Sequence, residues 1–270
     1  MTALLEARDV TVTFRARGAE KRAVDGVSLS VGGDVPRITA IVGESGSGKT
    51  TLTRLLLGFQ QPSGGTVTFR GRPLAALSGA ERKRFRREVQ AIFQDPFDVF
   101  NPFYKVDRAL LKPLRAFGLA SSTADAYAQA EQALTDVGLR PQETLGRYPH
   151  QLSGGQRQRV MIARALVLKP KIILADEPVS MVDASLRATI LQSLNRLKEE
   201  IGISLIYVTH DLTTAYQISD DVVVLYGGRI VEQGDAETVI RRPSHAYTRS
   251  LVAAIPPPDP DKPWGERVIA

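Results

Sequence analysis

Gly43, Glu44, Ser45, Gly46, Ser47, Gly48, Lys49 and Thr50 follow one another in the spacing Gly-x4-Gly-Lys-Thr. Glycines in so short a run let successive backbone N–H groups turn inward, which makes a concave nest for anionic oxygens. Lys49 sets a point charge where β- and γ-phosphates would lie, and the Thr50 hydroxyl is suited to a bound Mg²⁺. The apolar run 38–42 ahead of the loop reads as a buried strand. Residues 51–57 behind it read as a helix whose N-terminal dipole adds positive potential to the nest. Without a ligand the same residues are a glycine-rich turn; the frame, the strand and the helix together favour the phosphate cradle.

Two further segments carry chemistry. In Lys171-Ile172-Ile173-Leu174-Ala175-Asp176-Glu177-Pro178 an apolar strand delivers two adjacent carboxylates. Asp176 is placed to orient Mg²⁺, through water, and Glu177 to polarise or deprotonate a water that attacks the γ-phosphate. On its own such a pair also reads as a capping Asp-Glu at a helix start. In Leu152-Ser153-Gly154-Gly155-Gln156 a Ser-Gly-Gly opens a helix, so that N–H groups and a hydroxyl form a second anion site. The plainer reading of Ser153 is an ordinary N-cap.

The elements that must position these residues are legible in outline. Open parallel sheets place ligands beyond the carboxyl ends of their strands. The run 38–42 ends in the loop, 89–93 in Gln94, 172–175 in Asp176 and Glu177, and 203–208 in Thr209 and His210. Each is apolar enough to be buried on both faces, and four polar endings predict one site at one sheet edge. Ahead of them the chain is β-rich, with strands over 4–7, 10–14, 24–31 and 66–70 and turns at Gly32-Gly33 and Gly64-Gly65. From about Pro96 to Pro149 strand-like runs are few. There 123–137, rich in Ala, Gln and Glu, predicts a helix stopped by Gly138. This middle reads as a helical lobe inserted into the core. Residues 222–226 and 229–232 flank Gly227-Gly228 as a hairpin, 248–255 reads as helix, and the prolines from 256 begin an extended tail. There is no internal repeat, so one nucleotide-binding unit is expected.

Composition narrows the function classes. The 270 residues are 43% hydrophobic and 24% charged, as in a soluble globular protein, and no apolar run is long enough to cross a bilayer. Acidic residues stand near the N-terminus where a signal peptide needs an apolar core, so the expected location is cytoplasmic, with membrane association only through a partner. With no cysteine, disulfides, thiolate catalysis and cysteine-held clusters are excluded. His150, His210 and His245 are too scattered for a metal cage. The net charge of +6 owes much to Arg82-Lys83-Arg84-Phe85-Arg86-Arg87, read as a solvated helix face. No aromatic platform is interleaved with it, and no nucleic acid is expected.

The phosphate loop, Gln94, Leu-Ser-Gly-Gly-Gln at 152–156, the acidic strand end at 174–177 and His210, in that order, resemble the ATP-binding cassette (ABC) ATPases over nearly the whole chain. The resemblance implies an α/β fold: a P-loop NTPase cassette with a parallel core sheet, an N-terminal antiparallel β subdomain and an inserted helical subdomain at about 96–160. The cassette would span 1–255 and the proline-rich tail 256–270. It implies head-to-tail pairing with a second such subunit, each ATP held between one loop and the other subunit's signature helix. Residues 43–50 and Thr51 would then hold phosphates and Mg²⁺, with Thr50, Gln94 and Asp176 on the metal side. Ser153 and Gly155 would meet the γ-phosphate on the opposite subunit. Glu177 would be the general base, His210 would hold the γ-phosphate and the water, and Gln94 would contact Mg²⁺ and the water and sense the membrane partner. Phe14 stands where the family stacks an aromatic ring on adenine; its alternative is a strand core residue. Ser180-Met181-Val182-Asp183 departs conservatively from the commoner Ser-Ala-Leu-Asp, and no catalytic position is degenerate.

A narrower resemblance lies in Ile92-Phe93-Gln94-Asp95-Pro96 with Asn101-Pro102, in Tyr148-Pro149-His150, and in Pro243-Ser244-His245-Ala246-Tyr247-Thr248 with Leu251 and Ala254-Ile255-Pro256. These look like the oligopeptide/dipeptide permease branch of importers. That branch implies two transmembrane permease subunits, an extracytoplasmic solute-binding protein and a peripheral seat on the cytoplasmic face of the membrane, with the lobe around residues 97–104 in the groove that receives the membrane subunit. The branch also moves oligosaccharides and nickel complexes. The cysteine-ligated cluster that some of its members have near the C-terminus cannot be carried over to a chain without cysteine. Competing readings are a soluble ABC protein acting on ribosomes or DNA, which lacks the fused second cassette or long coiled coil it would need here, and a phosphate-loop kinase or GTPase, which gives Leu-Ser-Gly-Gly-Gln no role.

Overall fold

A computed structural model describes residues 3–16, 19–95, 99–180 and 182–255. Phe97, Met181 and the tail at 256–270 lie outside these. In chain order the strands are β1 (Leu5–Ala16), β2 (Ala19–Val31), β3 (Ile38–Val42), β4 (Gly64–Phe69), β5 (Arg72–Pro73), β6 (Val89–Ile92), β7 (Ile172–Asp176), β8 (Ser204–Thr209), β9 (Asp221–Tyr226) and β10 (Arg229–Asp235). The α-helices are α1 (Lys49–Leu56), α2 (Gly79–Glu88), α3 (Asp107–Phe117), α4 (Thr123–Asp136), α5 (Pro141–Thr144), α6 (Gly154–Leu166), α7 (Ala184–Glu199), α8 (Leu212–Ile218), α9 (Ala236–Arg241) and α10 (Ala246–Ala253). The chain divides into two compact units, residues 1–76 with 206–270, and residues 77–205; the division falls inside β8.

In the first unit an antiparallel sheet runs in the order β2-β1-β4-β5. Leu5, Ala7, Val10 and Val12 are all buried, so the alternation slips by one residue between Ala7 and Val10. The two short strands expected over 4–7 and 10–14 are therefore one long strand with a bulge at Asp9, whose φ is 48°. Gly64-Gly65, expected as a turn, instead opens β4. Gly65 (φ 73°) fits there because a Cβ would lie 2.1 Å from the Asp9 carbonyl oxygen. β3 is buried at every position and pairs in parallel with β9, Val42 opposite Val224. Asp220 and Asp221 fix that register: Ile38 N–H donates to Asp220 Oδ2 (2.7 Å), and Arg37 makes a two-pronged pair with Asp221 at 2.6 and 2.8 Å. β9 and β10 form the expected hairpin, with Gly227 and Gly228 both at positive φ as its tight turn requires.

In the second unit β6 and β7 are parallel, Ile92 opposite Ala175. Residues 172–175 are wholly buried, but Gln90 and Ala91 of β6 are half-buried. β6 is an edge strand, so the expectation of burial on both faces fails there. α2 starts with a capping box: Ser78 Oγ accepts from Glu81 N–H, and Glu81 Oε2 accepts from Ser78 N–H, an arrangement in which the cap contributes about 1 kcal/mol. Phe85 is its buried residue, so the arginines around it form the charged face expected of 82–87. Ala126, Ala130 and Ala133 are buried on α4 with Leu134, and their small side chains let neighbouring helices approach closely. The helix stops where expected: Gly138 (φ 70°) turns the chain left-handed, and Leu139 N–H returns to Leu134 O at 2.9 Å.

Candidate functional site

In the first unit β3 releases the chain at Gly43, and Gly43, Gly46 and Gly48 have φ of 154°, 81° and 109°. A Cβ at Gly43 would lie 2.2 Å from Leu225 O, and one at Gly48 2.2 Å from Ala23 O, so backbone closes on both ends of the loop. Ser47, buried, accepts at its carbonyl from Gly228 N–H (2.9 Å). Glu44, Ser45 and Gly46 form the exposed rim. The Lys49 side chain is 7% exposed, and its ammonium donates to Gly43 O (2.7 Å) and Glu44 O (2.8 Å). No side chain caps the first N–H groups of α1, and no acidic residue occupies its first turn. Uncapped donors, a helix dipole and a buried ammonium make a cradle whose donor chemistry fits phosphate oxygens. Thr50 is exposed beside it and Thr51 half-buried.

His210 follows β8 as an exposed residue. The turn that carries it is pinned by Asp211, whose N–H donates to Thr209 Oγ1 (3.0 Å) and whose carboxylate caps α8 at Thr213 and Thr214. Phe14 is 47% exposed on β1, so the strand-core alternative does not hold, and an aromatic face is left open to solvent.

In the second unit the register of β6 and β7 carries Gln94 to Glu177: Gln94 Nε2 donates to Glu177 Oε2 at 3.2 Å. Glu177 has φ 46°, a conformation that costs a non-glycine residue about 1–3 kcal/mol. Ser180 holds it there, its N–H and hydroxyl both donating to Glu177 O. Asp176 is half-buried at the end of β7. Ser153 is exposed and caps α6: its hydroxyl accepts from Gln156 N–H, and Gln156 Oε1 accepts from Ser153 N–H. The N-cap reading is thus correct, and these two donors are not free as expected. The hydroxyl proton can still be donated to an anion. Gly155 is buried, and a Cβ there would lie 2.1 Å from Leu186 Cδ2, so its lack of a side chain serves packing inside the unit.

Two features were not anticipated as site residues. Tyr247, noted only as part of a branch-specific run, accepts at its hydroxyl from Glu44 N–H (2.8 Å) across 203 positions of sequence, which no local pattern signals. Glu232 of β10 accepts from the N–H and hydroxyl of Ser244 (2.7 and 2.8 Å) and from His245 N–H (3.0 Å). Burial would raise this carboxyl, but the hydrogen bonds from residues 244 and 245 prevail and hold it at about 2, against an ordinary 4.5. Folding depresses the group, so its stabilisation is complete above pH 4.5 and is lost as pH falls through about 2. Glu232→Gln is expected to lower the urea midpoint at pH 7, with the gap to the unaltered chain narrowing steadily below pH 4.5. A gap of constant size down to pH 2.5 would contradict this.

The second unit also holds a cavity of about 610 Å³, lined among others by Arg86, Phe100, Tyr104, Arg108, Lys112 and Arg164, with the Arg108 guanidinium 3.9 Å from the Tyr104 ring centroid. Among the described residues no carboxylate lines it. Among them, too, no helix is long and apolar enough to cross a membrane, and no group of three or more His, Asp or Glu side chains could hold a metal by itself.

A family model described as ABC transporter matches residues 24–180, and one described as the C-terminal region of oligopeptide/dipeptide transporters matches residues 231–269. A Brucella ovis protein named as a peptide import ATP-binding protein is 42% identical over 262 residues, 96% of this chain and 81% of that one. Bacillus subtilis YkfD, named as an oligopeptide transport ATP-binding protein, is 41% identical over 259 residues, 96% of this chain and 78% of that one. Among solved structures, the dimeric post-hydrolysis state of the ATP-binding cassette MJ0796 bound to ADP and Pi superposes with a TM-score of 0.76 at 29% identity, covering 86% of this chain and 98% of that one.

Proposed function

The chain belongs to the ABC transporter family of ATPases, with the C-terminal region of its oligopeptide/dipeptide branch, and on that premise we propose that it is the ATP-hydrolysing subunit of a peptide importer. The observation that carries the reading is the loop at 43–50, already folded as an anion cradle around a buried ammonium. In this reading residues 43–51 bind the ATP phosphates and Phe14 takes the adenine. Glu177 accepts the proton of the attacking water, and Gln94, bonded to it, orients both. His210 holds the γ-phosphate. Ser153 and Gly155 serve the nucleotide of a second cassette; the exposed Ser153 hydroxyl supports this, while Gly155, buried against Leu186, has only its backbone to offer. Thr50, Gln94 and Asp176 are the Mg²⁺ side. These residues would hold Mg²⁺ together with phosphate oxygens and water, and the ion would supply neutralisation of the charge that builds on the phosphate oxygens.

Binding of ATP across two cassettes closes the pair and loss of the γ-phosphate releases it, the two-state cycle that drives two transmembrane permease subunits. The basic, aromatic-lined cavity of the second unit is offered as the seat of one of them, and an extracytoplasmic solute-binding protein would deliver the peptide. In this reading the subunit works from the cytoplasmic face of the membrane. The test is reconstitution with the permeases and binding protein in lipid vesicles. ATP hydrolysis should rise severalfold with peptide-loaded binding protein. Stimulation by oligosaccharide or a nickel complex would reassign the cargo; stimulation by ribosomes or DNA would overturn the importer reading.

A further inference from the structure

We propose that Tyr247 is a positioning residue for the phosphate loop, so that nucleotide affinity at residues 43–50 is set partly by the C-terminal helix α10. The inference rests on the reading that this loop binds ATP. The decisive geometry lies in one peptide unit, the one joining Gly43 to Glu44. Its N–H donates to the Tyr247 hydroxyl at 2.8 Å, and its carbonyl oxygen accepts from the Lys49 ammonium at 2.7 Å. Tyr247 and Lys49 therefore hold opposite ends of one peptide plane. A peptide so gripped cannot rotate without breaking a bond, and the direction of its carbonyl decides where the Lys49 charge rests. Gly43, with no Cβ and a φ of 154°, puts little steric restraint of its own on that peptide.

Tyr247 is itself seated by a chain of contacts that starts in β10. Glu232 fixes Ser244 and His245, and His245 Nδ1 accepts from Tyr247 N–H (3.2 Å) to cap α10. The Tyr247 ring lies on Tyr226, with centroids 4.1 Å apart. The residue before Tyr226, Leu225, presses its carbonyl against Gly43, and Gly228 beyond it bonds Ser47. The hairpin and α10 thus grip both ends of the loop, and Tyr247 does so through a side-chain hydrogen bond. Burial pushes the phenol above its ordinary 10.0; the Glu44 N–H opposes this, and the Glu44 charge and Tyr226 add to it. The hydroxyl stays neutral at physiological pH, and the hold does not titrate there.

Tyr247→Phe keeps the ring and removes only the acceptor. By calorimetric titration of the full chain with ATP, its Kd is expected to rise about three- to tenfold, the usual weight of one such hydrogen bond. The nucleotide-free thermal midpoint should move little, and kcat at saturating ATP should stay within about twofold, a split that loss of fold would not give. Hydrogen exchange at Glu44 N–H should quicken. Glu232→Gln should weaken ATP binding in the same direction, and the double variant should bind no worse than the weaker single variant, because both act through one contact. A Tyr247→Phe Kd within twofold of the unaltered chain, or tighter, overturns the proposal, as does full additivity with Glu232→Gln. Failure of the unaltered chain to bind ATP any better than its Lys49→Ala variant would instead sink the functional reading beneath it.

Discussion

Glu177→Gln is expected to bind ATP with a Kd within about twofold of the unaltered chain while kcat falls by about 10²–10⁴-fold, the range of a lost general base. The substitution keeps the shape of the side chain and removes the oxygen that can take a proton. The geometry of the second unit is arranged around that oxygen. Glu177 is held at a φ of 46°, and Ser180 directs both its N–H and its hydroxyl to the Glu177 carbonyl. Gln94 approaches the carboxylate from the neighbouring strand at 3.2 Å. A capping carboxylate would need none of this. With turnover stopped and binding retained, the γ-phosphate persists between two cassettes, so the variant should also elute as an ATP-dependent dimer in size-exclusion chromatography. Single-turnover phosphate release gives the rate. Hydrolysis at the normal rate would remove Glu177 from the role of base, and loss of ATP binding would show that the carboxylate is needed for the fold of the site.

The residues that chemistry demands were legible because they sit at strand ends, where a change from apolar to polar marks both the end of an element and the start of a site. Ile38 to Val42 and Ile172 to Asp176 ended within one residue of the expected positions. The bulge at Asp9 was hidden: Ala7 and Val10 each fit an alternating strand, and only the pairing with β2 and β4 reveals that one strand passes through both. Gly64-Gly65 misled for a related reason. Gly65 has the positive φ of a turn glycine (73°), but it lies in a strand, where another backbone also comes within reach of its Cα. The half-buried middle of β6 depends on its having one neighbour, a property of topology that composition does not record. Tyr247 lay in a run that sequence could mark only as belonging to a branch; its bond to Glu44 depends on a hairpin and a helix packing back on the loop.

Lys49→Ala is expected to weaken ATP binding by about 10- to 100-fold, the cost of losing charge-assisted hydrogen bonds worth about 1.5–3 kcal/mol. Lys49 is nine-tenths buried, yet its ammonium is met by two carbonyl oxygens of its own loop. That is a resting place with a geometric consequence: the charge sits inside the nest, within reach of any anion that enters. Phosphate oxygens entering the nest offer the ammonium a full negative charge in place of carbonyl dipoles, and the trade gains most where water is scarce. Removing the side chain deprives the nucleotide of this charge and releases the Gly43–Glu44 peptide from one of its two restraints, so both attraction and loop order decline. Lys49→Arg should rescue little, because a planar fork of donors replaces the compact ammonium that meets Gly43 O and Glu44 O. The readout is calorimetric titration with ATP alongside the nucleotide-free thermal midpoint. Affinity should drop far more than the midpoint does; an unchanged Kd would mean that the phosphates bind elsewhere.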